Sequence, residues 1–251
     1  MLSLARALLE ECATNYQGLL EVMLPQERTM AVFTLDGAQA EAAWQRLAVE
    51  GSKKGLKPLL LGTPESFELH METLGMALEE PHAQESPAEW LRQAGAIDLD
   101  DWIAGRLEDH VFEPGQWPEQ GERPAAAPIA SLLSRQDFVY GALLDITDIS
   151  HIPAWLNFGS AGACPAVPIH TAFLNRWRHF QIDCLCLSEE CFLLNGGNPP
   201  AAAARESCLK LAREHFAYCP EILSQEQDKQ LSLSQYAAAL ADRRQWLFSW
   251  S

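Results

Sequence analysis

Residues 30–62, MAVFTLDGAQAEAAWQRLAVEGSKKGLKPLLLG, decide the reading of the fold. Met30–Leu35 is a short apolar run closed by Asp36-Gly37, a turn signal and a candidate helix cap. Ala38–Glu50 is alanine-rich, with Trp44, Leu47 and Ala48 on one helical side. Gly51 and Gly55 end that helix, and Leu59–Leu61 reads as a buried strand closed by Gly62. Strand, helix, strand in this order predict a βαβ-like unit.

Working outward toward the N-terminus, the apolar run Leu19–Leu24 is separated from Met30–Leu35 by the polar turn Pro25–Thr29. The two runs predict paired strands. Residues 2–14 predict a helix with Leu4, Leu8 and Leu9 inward. The opening MLSLARALLEEC reaches Glu10 and Glu11 too soon for a signal peptide, and no apolar run attains the ~18–20 residues that span a bilayer. Both readings imply a cytoplasmic protein. The seven cysteines, an odd number, are then expected to be free thiols.

Downstream of Gly62 the chain turns acidic and helical in pieces. Pro64 starts the first piece, with Phe67, Leu69, Met71, Leu74 and Met76 as its apolar set. Pro87 starts a second, and Leu99–Asp109 is a third, with Trp102, Ile103 and Leu107 inward. Asp98, Asp100 and Asp101 sit near its start, where the helix dipole favours anions. The formal charge of the whole chain is −16. Fifteen acids and two bases (Arg92, Arg106) between Glu65 and Glu122 give −13, so the remaining residues carry −3. A field of that sign repels nucleic acid and anionic membrane and attracts a basic protein. The expected partner-binding residues are Glu65, Glu68, Glu72, Glu79, Glu80, Glu85, Glu89, Asp98, Asp100, Asp101, Glu108, Asp109 and Glu113. Residues 110–136 are rich in proline and alanine and read as a linker or long surface loop. They divide an N-terminal α/β portion, 1–125, from a C-terminal α+β portion, 126–251.

In the second portion Phe138–Ile146 predicts a strand, and 150–168 an ordered loop holding Trp155 and Phe158. Ile169–Phe180 predicts a helix with Ala172, Phe173, Trp177 and Phe180 at helical spacing. Ile182–Leu187 alternates as a strand, placing Ile182, Cys184 and Cys186 on one face and Asp183, Leu185 and Leu187 on the other. Cys191–Leu194 pairs with it, and Asn195-Gly196-Gly197-Asn198 turns the chain. Pro199 and Pro200 then open a helix containing Leu209–Pro220, LKLAREHFAYCP, with Cys208, Leu209, Ala212 and Phe216 on one face. Pro220 ends it by removing a donor and disfavouring helix at Cys219. Ser232–Asp242 is a last helix and Gln245–Trp250 a terminal aromatic strand. Trp44, Trp90, Trp102, Trp155, Trp177 and Trp246 are expected in the core, and Trp250 half exposed. The whole predicts an α+β fold with a mixed central sheet flanked by helices and an acidic helical segment upstream.

Two cysteine–histidine pairs are candidates for nucleophilic chemistry, which needs an imidazole beside a partly exposed thiol. His215 and Cys219 are four residues apart on one helix. Cys164 and His170 flank a loop and a helix start. A metal would draw on Cys164, His151, His170, Cys184, Cys186 and Cys219, but the one close pair is C-x-C on a strand, without the paired C-x-x-C of structural zinc. Glycine-rich phosphate loops and the G-x-S-x-G elbow are absent. No cofactor and no metal are expected.

The C-terminal block resembles the bacterial domain-of-unknown-function family 4253. The residues that carry the likeness are Cys164-Pro165, Pro168-Ile169-His170 with the helix to Trp177, Ile182–Leu194, Ala212-Arg213-Glu214, Tyr218-Cys219-Pro220, and Trp246 to Trp250. The likeness covers about 162–250 and reaches weakly to Trp44 and Gly55–Gly62. Where the family usually has aspartate after the proline, this chain has Glu221; where it ends in clustered tryptophans and an acid, this chain has Leu247-Phe248-Ser249-Trp250-Ser251. The resemblance implies a fold and no reaction. By analogy it fits small acidic bacterial proteins that neutralise toxins. The sequence therefore supports a non-catalytic binding protein, an immunity-type antitoxin that occludes a basic effector. The alternatives are an enzyme or small-ligand protein using Cys219, His215, Cys164 and His170, and a structural or regulatory interaction domain.

Overall fold

The strand–helix–strand unit is present, and a strand from more than seventy residues further on is set into it. The computed structural model describes residues 1–79, 85–108, 110, 117–118, 133–159, 163–188, 191–224, 231–241 and 243–250 (side chains of 76–79 aside). Strands β1 (Tyr16–Met23), β2 (Thr29–Asp36), β3 (Lys57–Gly62), β4 (Phe138–Leu144), β5 (Ile182–Leu187), β6 (Cys191–Gly196) and β7 (Gln245–Ser249) form one sheet in the order β1-β2-β4-β3-β5-β6-β7. β4 is antiparallel to both β2 and β3, so those two run parallel with β4 between them. The portions 1–125 and 126–251 are therefore interleaved in a single sheet. β3 and β5 form the parallel junction, and the other pairs are antiparallel.

Helices cover both faces. On one face lie α1 (Leu2–Glu11) and α2 (Ala40–Ser52), burying Leu8, Leu9, Trp44 and Leu47 against Phe33, Leu60 and Leu143. The Trp44 indole N–H reaches the carbonyls of Pro58 and Cys184, both at 3.1 Å, which ties α2 across β3 and β5. On the other face lie α3 (Pro64–Glu79), α4 (Pro87–Ala96), α5 (Leu99–Leu107), α6 (Ile152–Trp155), α7 (Val167–Trp177), α8 (Arg205–Tyr218) and α9 (Leu233–Leu240). Asp98 accepts from the amides of Asp100 and Asp101 and so caps α5, while Ser232 and Gln235 form a reciprocal capping box on α9. No helix among the described residues is long and apolar enough to cross a membrane.

Several local expectations are corrected. Leu4 is 42% exposed, and Ala5 takes its place in the buried stripe of α1. In α3, Leu69 is 44% exposed while His70 is buried, because the inward set follows 67, 70, 71 and 74 at 3/4 spacing. Helix α8 begins at Arg205, not at Pro199 and Pro200; an intervening turn carries the chain from the β6 end to the helix. In β5 a register shift falls between Cys184 and Cys186. Leu185 is the extra residue of a β-bulge, which places Ile182, Cys184 and Leu187 with one core and Leu185 and Cys186 with the other. The strict alternation expected for Cys184 and Cys186 breaks there. Trp250 is 8% exposed, so it belongs to the core.

Candidate functional site

The chemistry-bearing residues of the C-terminal half meet where α7, α8 and the end of β7 converge. Pro165 and Pro168 frame the entry into α7, whose buried face presents His170, Phe173, Leu174 and Trp177. α8 buries Cys208, Leu211, Ala212, His215 and Tyr218 along its inward side. His170 Nε2 lies 3.4 Å from Cys164 Sγ, and His170 Nδ1 lies 2.5 Å from the Tyr218 hydroxyl. Rings close around this chain: Phe158 at 4.9 Å and Trp250 at 5.6 Å from the His170 ring, with Trp250 also 5.3 Å from Tyr218. The Trp250 indole donates to the Tyr218 carbonyl at 3.3 Å, so the last strand is pinned to the end of α8. Gly159 packs flat against the assembly. A Cβ there would come within 2.5 Å of the Pro165 carbonyl and 2.9 Å of His170 Nε2.

The electrostatics are those of neutral groups. Burial holds the His170 imidazole down to about 3, and the Pro165 carbonyl at the same ring only partly offsets it. Burial, with Cys219 nearby, pushes the Cys164 thiol up to about 12. Tyr218 is likewise pushed up by burial and by the neighbouring thiols. The buried imidazole is neutral, and the cluster holds a thiol rather than the thiolate that nucleophilic cysteine chemistry needs.

The thiol and the imidazole of the other predicted pair bond to other groups, although the Cys219 amide donates to the His215 carbonyl at 2.8 Å. Cys219 caps α8 in an extended conformation (φ −142°), as Pro220 demands, and its thiol donates to the Ser249 carbonyl at 3.1 Å. His215 Nδ1 is 2.9 Å from the Tyr236 hydroxyl, and its ring is boxed by Trp177, Trp246 and Phe248. Among the described residues, no three His, Cys, Asp or Glu side chains converge as a metal-binding group would. One buried acid emerges as a structural centre. Glu214, 6% exposed, accepts from the Trp177 indole and from Arg176 Nε, both at 2.9 Å, and Arg176 also reaches Asp100 at 2.7 Å. The residues Ala212-Arg213-Glu214 were a sequence signal, but the partners of Glu214 required the fold.

Upstream, the acidic segment lies on helices. Glu65, Glu68, Glu72, Glu85, Asp98, Asp100, Asp101 and Glu108 are exposed on or beside α3, α4 and α5. Glu89 is half-buried and paired with Arg92, whose guanidinium holds it low. The Glu79 side chain, Glu80, Asp109 and Glu113 lie outside the described residues. All three helices send apolar residues (Leu74, Ala94, Leu99 and Ile103) into the core that also contains Trp177 and Tyr218.

Cys164, His170, Tyr218 and Trp250, spread over more than eighty residues, thus form one packed cluster. Residues 142–251 match the DUF4253 family model, described as a domain of unknown function. The DUF4253 block holds the end of β4, strands β5 to β7 and helices α6 to α9, and its span includes every residue of the cluster. Its N-terminal limit lies earlier than the likeness at 162 read from the motifs, and it does not take in residues 44–62. Neither the comparison with curated proteins nor that with solved structures found a match.

Proposed function

We propose that this is a non-catalytic protein-binding module in which the helical layer α3–α5 receives a basic protein. Its most specific form is an immunity-type antitoxin that occludes a basic bacterial effector. The observation that carries the reading is the state of the acids: of those described between Glu65 and Glu108, all but Glu89 are exposed, on helices that rest on the same side of the sheet. Asp98 caps α5 and Asp100 pairs with Arg176, which leaves Glu65, Glu68, Glu72, Asp101 and Glu108 as the residues best placed to meet a partner. Exposed charges of one sign raise the encounter rate with an opposite surface and fade beyond ~8 Å at physiological ionic strength. The test is to mix the protein with basic effectors encoded by neighbouring genes at low salt. Binding that weakens with added salt is expected; no binding to any of them counts against the proposal.

The second reading, a thiol enzyme or small-ligand protein, is favoured by one observation: Cys164 is half-buried and touches His170. A thiol held near 12 with a neutral imidazole reacts slowly. Titrating the folded protein with a thiol reagent at pH 7 is therefore expected to give no fast phase at Cys164. A fast phase at Cys164, lost in Cys164→Ser and in His170→Gln, would favour the enzyme.

A further inference from the structure

The two edges of the sheet end differently. At one edge β7 is five residues long, the short turn Pro220–Leu223 packs against it, and its Ser249 carbonyl is taken by the Cys219 thiol. At the other edge β1 is eight residues long, and among the described residues no strand pairs with its outer side. Natural edge strands are usually blunted by lysine, proline, a bulge or shortness, because their free N–H and C=O groups are a template for a further strand. The β1 sequence, YQGLLEVM, holds neither lysine nor proline. Its one irregularity falls between Gln17 and Leu20, with Gly18 at φ +52°, and Leu20 to Met23 then pair with Val32 to Thr29 in unbroken register. The side chains beside this open edge are apolar on both faces of the sheet. Leu20 lies opposite Val32, on the face covered by α3–α9, and is 47% exposed. Met23 shares with Glu21 the face covered by α1 and α2, and is 51% exposed. The Met1 ammonium lies 3.5 Å from Glu21, which brings the start of α1 beside β1, and Leu4, one turn in, is also exposed. Three of the six large apolar side chains exposed among the described residues thus gather at one strand. Apolar side chains exposed singly need no explanation, whereas a group of them marks a surface for association.

We propose that the chain forms a homodimer in which the outer edges of two β1 strands pair antiparallel, joining two seven-stranded sheets into one across a two-fold axis. Charge selects a second copy as the occupant. Glu21 is the one charged residue of β1, and the Met1 ammonium offsets it. A basic protein finds little to pair with there. A second copy is repelled by the acids on α3–α5 but brings to this edge the same near-neutral, apolar strand. A two-fold axis normal to the sheet keeps each face continuous, so both Leu20 side chains are covered on one face and both Met23 side chains on the other. Every register except the one centred on Glu21 avoids setting the two carboxylates directly opposite each other. The dimer is independent of the basic-partner reading, and salt separates the two. Screening relieves repulsion between copies and strengthens the dimer, whereas it weakens attachment of a basic protein.

The experiment is sedimentation equilibrium of the full chain over a dilution series, at low and at physiological salt. The expected mass at the concentrated end is that of two chains of 27.9 kDa each, with a tighter dimer at the higher salt. Leu20→Lys combined with Met23→Lys, at two exposed positions, is expected to weaken the dimer about tenfold or more, because it sets like charges against each other across the pair. Val49→Lys combined with Leu69→Lys, exposed apolar positions away from β1, is expected to leave it unchanged. In the wild-type protein, amide hydrogen exchange over Leu20–Met23 is expected to be slower in the dimer than in the diluted monomer. The proposal is overturned by a wild-type protein that is monomeric at every concentration, by a dimer that salt dissociates, by a dimer that the β1 lysines leave intact, or by exchange over Leu20–Met23 that dimerisation does not slow. The wild-type mass and exchange decide the matter if a variant does not fold.

Discussion

Glu214→Ala is expected to lower the stability of the fold by about 3–5 kcal/mol, the usual cost of removing one partner from a buried ion pair. Glu214 is buried, and both its carboxylate oxygens are used, one by the Trp177 indole and one by Arg176. The alanine variant strands a buried indole N–H and leaves Arg176, itself only 21% exposed, with Asp100 alone. Asp100→Ala is the control. Its side chain is 80% exposed, so its loss is expected to cost less than about 1 kcal/mol. Urea denaturation of the three proteins measures both numbers. Equal small losses for the two variants would show that Glu214 is not the centre through which α5, α7 and α8 are joined.

Acidification is expected to unfold the protein well above the range in which its carboxylates titrate. His70 is held down to about 4 and His170 to about 3, each by burial, and His215 is lowered by burial and then by Arg243. Among the described residues the Nε2 atoms of His70 and His215 have no hydrogen-bond partner, so a proton there would be a buried charge that those residues do not pair. Each folded value lies below the unfolded value of about 6.5, so below that pH the unfolded chain binds protons that the native state refuses. The stability these three groups contribute is therefore complete above about pH 6.5 and is lost as the pH falls toward their folded values. At about 1.4 kcal/mol per unit, His70 and His170 each cost roughly 2 kcal/mol between pH 7 and pH 5. These two together remove about 4 kcal/mol, a large share of the stability of a typical domain, and His215 acts in the same direction. Relief of the −16 net charge acts in the opposite sense but is screened at 0.15 M salt, where the Debye length is about 8 Å. Urea midpoints followed from pH 7 to pH 5 are expected to fall steeply, and less steeply in His70→Gln; a flat profile would contradict the burial of these rings.

Which parts of the molecule could be read from its sequence follows from how local each signal is. Strand β2, helix α2 and strand β3 announce themselves within 33 residues, because apolar period, cap and glycine stops agree there. The insertion of β4 between β2 and β3 leaves no local trace, since it depends on pairing across more than seventy residues. The bulge at Leu185 is equally silent, as a run of Ile, Cys and Leu suits either alternation. In α3 the eye follows Leu69, but helical geometry puts His70 inside. At the candidate site Cys164 and His170 flank a loop and a helix start in the sequence, and in the fold their side chains touch. Tyr218, Phe158 and Trp250 join them only through tertiary packing. For Cys219 the sequence carries its conformation: Pro220 disfavours helix at Cys219, which is extended and ends α8.

The acidic layer can be challenged without disturbing the fold, because Glu68, Glu72, Asp101 and Glu108 are exposed. Among the described residues, no side-chain helix cap and no ion pair rests on these four side chains. The decisive measurement is the association rate of a basic effector with the wild-type protein and with a variant carrying Glu68→Gln, Glu72→Gln, Asp101→Asn and Glu108→Gln together, from low to physiological ionic strength. The account predicts that neutralisation slows association about tenfold at low salt and that the two proteins converge as salt rises. Equal rates for the two proteins at low salt would contradict it.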